Sequence, residues 1–123
     1  HTRADMLAGV DLRGKDDVVA DVLMDLARLE TQPRAERLAD AIRAGIAKHG
    51  LPLHSRPLRQ AGFSVLKAPD IPSILLELGF MSSPRDLKHL TDPQWRAKMA
   101  RALRDALAEW RIADAAAADL VRQ

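Results

Sequence analysis

Residues 63–80, FSVLKAPDIPSILLELGF, restrict the fold more than any other stretch of the chain. Two β-type runs, FSVLK at 63–67 and SILLEL at 73–78, flank the five residues APDIP. That connector is too short for the crossover that parallel neighbours need, so the runs are antiparallel partners or not adjacent in one sheet. The second run is apolar on both faces except for Glu77, the pattern of a strand covered by helices on each side. A carboxylate in such a strand is costly unless it is turned to water, paired, or placed there to do chemistry. Glu77 lies near the C-terminal end of its run, where open α/β sheets collect ligands and catalytic groups.

The rest of the chain reads as helix. KDDVVADVLMDLARLET sets Val18, Val22, Leu26 and Leu29 at helical spacing, and Val19 and Leu23 widen the stripe. This predicts a helix over about Asp16 to Glu30, buried against two surfaces. Asp16 and Asp17 read as first-turn acids that suit the helix dipole, not as a catalytic pair, because adjacent helical side chains point apart. Pro33 is expected to open or kink a second helical stretch, with Ala35, Leu38, Ala39, Ile42 and Ile46 on one face and Gly50 at its end. Ser83 with Pro84, and Asp92 with Pro93, are N-cap signals for two further helices. The last of these aligns Trp95, Met99, Leu103 and Leu107, with Ala102, Ala106 and Trp110 on the same side. Residues 1–14 read as loop with a short strand, and the Ala-rich stretch 113–123 as frayed or disordered. The expected class is α/β, with two or three short strands of a helix-flanked mixed sheet and about four helices. Two strands do not make a stable sheet alone, so this α/β unit is expected to be part of something larger.

At 123 residues and 13.6 kDa the chain has room for one domain. Its 19 Lys and Arg against 17 Asp and Glu are interspersed, and aromatic residues make up 3% with no Tyr. Neither an electrostatic nor a stacking footprint for nucleic acid is present. The absence of cysteine excludes disulfides and thiolate metal sites. No apolar run reaches the length of a transmembrane segment. HTRADMLAG has no export-signal pattern, and a start at His1 is expected of a processed or excised piece.

Glu77 is the candidate for chemistry. His1, His49, His54 and His89 contain no pair at the i, i+4 spacing with which one helix face holds zinc, and they read as surface histidines. The connector LPLHSRPLRQAG brings together His54, Arg56 and Arg59, which read as a solvated edge before an anion site.

QAGFSVLKAPDIPSILLELGFMSSPRDLKHL closely resembles the C-terminal signature of the zinc-dependent N-acetylmuramoyl-L-alanine amidases of bacterial cell-wall turnover, the amidase type 3 family, whose members separate dividing cells. The likeness runs from ADMLAGVDL to about Ile112. It implies that residues 1–112 form the C-terminal half of an amidase catalytic domain, with 113–123 a tail. It also implies that Glu77 matches the catalytic carboxylate, which takes a proton from a zinc-activated water and returns it to the departing amine. The family's zinc ligands, a His, a Glu and a second His, lie N-terminal to the matched segment. Their counterparts are expected upstream of His1, with no metal ligand in this chain, and the chain alone is expected to be inactive. The implied partners are peptidoglycan, the missing N-terminal half, and an activator protein at the Asp16 to Glu30 helix. The implied location is the periplasm or the extracellular cell-wall space. A different expectation is a non-catalytic wall-binding or regulatory module derived from the same fold.

Overall fold

The structure is a computed structural model that describes residues 17–60 and 66–122. These carry three helices: α1, Asp17–Lys48; α2, Pro84–Leu90; and α3, Pro93–Val121. The expected α/β class is overturned, because no strand exists among the described residues. Residues 73–78 run as irregular chain, and Leu75, Leu76 and Leu78 are exposed instead of covered on both sides. A β-type run becomes a strand only when another backbone lies alongside to complete its ladder. The described residues bring none to this run. Residues 63–65 of the first run, together with residues 1–14 and Asp16, lie outside the described residues.

The expected pair of N-terminal helices is instead one. α1 passes through Pro33 for 32 residues. Pro33 has no N–H to give the carbonyl four residues back, yet the strong helix formers on both sides carry the helix across it. The end of α1 follows the expectation. Gly50 adopts φ 73°, its N–H donates to the Ala47 carbonyl at 3.0 Å, and the Leu51 N–H donates to the Ile46 carbonyl at 3.2 Å. Those two bonds form a Schellman stop, for which a glycine in the left-handed region is the least strained choice.

The chain divides into two compact units. Of the described residues, the first comprises 17–36 and 66–74. Its buried residues are Ala20, Met24, Thr31 and Pro69. The Thr31 hydroxyl lies 2.7 Å from the Pro69 carbonyl and 3.2 Å from the Ala27 carbonyl, and so ties the APDIP loop to α1. The stripe expected to be buried is turned outward: Val18 and Leu29 are 71% and 73% exposed, Val19, Val22 and Leu26 are also exposed, and Leu23 is half-buried. The helix buries the face of Ala20, Met24 and Thr31 in its place.

The second unit comprises residues 37–60 and 75–123. Here the later part of α1 buries Leu38, Ile42 and Ile46, and α3 buries Met99, Ala102 and Ala106. The two helices meet at Gly45, where a Cβ would stand 2.9 Å from Ala106 Cβ and 3.3 Å from the Ala102 carbonyl oxygen. α3 continues beyond Ile112 through the Ala-rich stretch to Val121, in keeping with the high helix propensity of alanine. Arg37 and Asp114 pair at 3.9 Å between α1 and this extension. α2 and α3 begin as their cap signals predict. The Asp86 N–H donates to Ser83 Oγ at 3.3 Å, and the Gln94 N–H to Asp92 Oδ1 at 2.9 Å.

Candidate functional site

Glu77 sits in the second unit, in the irregular chain leading to α2. It is exposed and makes no hydrogen bond or ion pair with the described residues. The chain just after it is held firmly. Gly79 passes so close to α2 that a Cβ there would lie 3.1 Å from Asp86 Cβ and 3.5 Å from Leu90 Cδ1. The Phe80 N–H donates to Asp86 Oδ2 at 3.0 Å, and the Ser83 N–H closes a turn onto the Phe80 carbonyl at 3.0 Å. Asp86 therefore serves two ends: its own N–H is capped by Ser83, and its carboxylate accepts from the backbone N–H of the residue directly after Gly79. The backbone just after Glu77 is held by a helix cap, not by a strand ladder.

The apolar side chains that flank Glu77 in sequence do not enclose it. Leu75, Leu76, Leu78, Phe80 and Met81 are all exposed around it, with Met81 at 79%. The result is an uncovered apolar strip bearing one unpaired acid.

The described histidines are engaged elsewhere. His49 Nδ1 lies 2.9 Å from the Gly45 carbonyl, and its Nε2 lies 3.3 Å from Asp105 Oδ2. Asp105 also accepts from Arg104 Nε at 3.0 Å. The Arg104 hydrogen bond and charge, helped by His49, hold the Asp105 carboxyl below its ordinary value against the opposing effect of desolvation. His54 Nδ1 lies 3.2 Å from the Arg56 N–H, and the His89 ring stacks on Trp95 with centroids 5.4 Å apart. Among the described residues, no group of three or more His, Cys, Asp or Glu is placed to hold a metal ion, so these residues do not fit a zinc centre. His1 lies outside them. The His49–Asp105 pair escaped the sequence reading because it joins residues far apart in the chain, with no periodic signal to connect them. Ser83 was legible as an N-cap, but the grip of Asp86 on Phe80 was not.

The family model described as N-acetylmuramoyl-L-alanine amidase matches residues 13–109, and the chain belongs to that family. Among individual relatives, the chain is 37% identical over 103 residues to N-acetylmuramoyl-L-alanine amidase AmiA of Escherichia coli (strain K12), covering 84% of this chain and 35% of that protein. It is 31% identical over 105 residues to N-acetylmuramoyl-L-alanine amidase AmiC of Neisseria meningitidis serogroup B, covering 84% and 24% respectively. It is also 40% identical over 70 residues to the Staphylococcus aureus protein named "Probable cell wall amidase LytH", covering 57% and 24%. The chain thus spans about a third or less of the length of these curated relatives. No solved structure matches it.

Proposed function

We propose that this chain contributes the catalytic carboxylate of a zinc-dependent amidase that hydrolyses the bond between N-acetylmuramic acid and L-alanine in peptidoglycan, in the periplasm or the extracellular cell-wall space. The observation that carries this reading is the family match over residues 13–109, which takes in the whole APDIPSILLELGF segment. The geometry supports it: Glu77 is an exposed carboxylate with no described partner, on backbone fixed by Gly79 and Asp86. A general base needs both a free acceptor and a rigid mount. In this role Glu77 accepts the proton of the attacking water and delivers it to the amine as the C–N bond breaks.

A zinc ion held elsewhere in the complete domain would supply Lewis-acid chemistry toward the carbonyl and the water. That no metal-holding group is found among the described residues supports the reading that the zinc ligands come from other parts of the complete domain and that the chain alone lacks activity. The exposed apolar strip from Leu75 to Met81 is consistent with a segment that is covered in that larger domain. The outward face of α1, with Val18, Val19, Val22, Leu26 and Leu29, is the surface on which an activator protein would rest. No helix of the described residues is long and apolar enough to cross a membrane.

The test is a chimera in which the 103 matched residues of Escherichia coli AmiA are replaced by those of this chain. The chimera is expected to release fragments from labelled peptidoglycan. Its Glu77→Gln variant is expected to retain zinc and fold but to lose about 10² to 10⁴ in rate, the usual contribution of a general base. Near wild-type turnover by that variant would remove Glu77 from the mechanism. A folded, zinc-loaded chimera without any hydrolysis would favour the non-catalytic wall-binding module.

A further inference from the structure

Within the second unit, α1 and the basic connector share one hollow. Arg43 from α1, and Arg56, Pro57, Leu58, Arg59 and Gln60 from the connector, line an open cavity of about 670 Å³. The hollow is shallow and largely open to solvent. From sequence alone, Arg56 and Arg59 read as a solvated edge. The fold adds a third guanidinium from a different element.

The ion pairs that the structure gives to arginines, Arg28–Asp25, Arg37–Asp114 and Arg104–Asp105, involve none of these three. Arg43, Arg56 and Arg59 have no acidic partner among the described residues. Three like charges around one hollow repel one another, and each brings a planar fork of donors matched to carboxylate or phosphate oxygens. The mount is stiffened locally. Pro57 fixes its own φ and restricts the backbone of Arg56, and the Arg56 N–H is held by His54 Nδ1 at 3.2 Å.

We propose that this hollow is an anion-binding site that takes a small oligoanion bearing carboxylate or phosphate groups, gripped by Arg43, Arg56 and Arg59. The site is separate from Glu77 and does not depend on the amidase reading. Charge-assisted, forked hydrogen bonds supply the affinity, and the open mouth admits a group carried on a larger molecule.

The test follows backbone amide resonances of the full chain during titration with sodium phosphate and, separately, with citrate, at constant ionic strength. Saturable shifts at residue 43 and residues 56–60 are expected with at least one probe. Citrate alone would assign a carboxylate ligand, and phosphate alone a phosphorylated one. Arg43→Gln and Arg59→Gln should each weaken binding about tenfold, the loss expected for one charged hydrogen bond. Arg43→Lys, which keeps the charge and loses the fork, should weaken it less. Arg111→Gln, outside the hollow, should change nothing. Circular dichroism checks that each variant folds, and Arg59→Gln on the exposed connector carries the test if Arg43→Gln does not. A non-saturable response to both probes, or an equal loss in Arg111→Gln, overturns the proposal in favour of diffuse electrostatics.

Discussion

Gly45→Ala tests the helix contact on which the second unit rests. In an isolated helix this substitution is favourable by about 0.8–1 kcal/mol, because glycine loses more backbone entropy on folding than alanine. In this structure the new Cβ would stand 2.9 Å from Ala106 Cβ and 3.3 Å from the Ala102 carbonyl oxygen. Carbon atoms in comfortable contact lie about 3.5–4.0 Å apart, so the two β-carbons would be roughly 0.6 Å or more too close. Relief is expensive on both sides. Ala102 and Ala106 are 0% and 2% exposed, and a methyl and a carbonyl offer no flexible end that could swing away. Overpacking of this kind costs about 1–3 kcal/mol. Taking the upper part of that range and subtracting the propensity gain leaves a net loss of about 1–2 kcal/mol. For a chain of this size that is a drop in Tm of about 4–8 °C. The assay is thermal unfolding followed by circular dichroism at the helix band, as a double-mutant cycle with Ala106→Gly. The double variant removes the opposing β-carbon and should recover most of the loss from the first substitution. A Gly45→Ala chain that melts higher than the parent, or a cycle with no coupling, would mean that α1 and α3 do not approach one another as described.

Three further outcomes follow from the same structure. Thr31→Val keeps the side-chain shape but leaves the Pro69 carbonyl without its 2.7 Å donor in a buried place, and should cost about 1–3 kcal/mol in the same melting assay. Asp105→Asn should destabilise the chain at neutral pH. The folded-state carboxyl is depressed, so its contribution is fully present above the ordinary carboxylate value and is lost as pH falls through the folded one. The gap in Tm between variant and parent should therefore narrow on acidification below about pH 4, and a gap independent of pH would refute the Arg104 and His49 pairing. Val19→Lys, on a side chain that is 51% exposed, should shift stability by no more than about 0.5 kcal/mol. In the AmiA chimera it should lower activator-stimulated hydrolysis but not basal hydrolysis, whereas equal losses in Tm and both rates would make the α1 face plain core.

What the sequence determined by itself are the features whose causes lie within a few residues. The caps at Ser83 and Asp92, the glycine stop at Gly50, and the buried face of Leu38, Ile42 and Ile46 follow from hydrogen-bond geometry and helical period, and the structure shows each of them. The family was legible for a similar reason, because LKAPDIPSILLE is a long local pattern. The features that the sequence missed depend on partners distant in the chain. The run at 73–78 has strand composition, but its state depends on a neighbouring backbone, and among the described residues it has none. The face of α1 that is buried carries Thr31, which bonds the Pro69 carbonyl, and Val18 and Leu29 stay in solvent despite their spacing. The hold of Asp86 on the Phe80 backbone, the His49–Asp105 pair and the gathering of Arg43 with Arg56 and Arg59 are likewise tertiary. Periodicity shows which residues can share a face; only the packed chain decides which face meets another surface and which meets water.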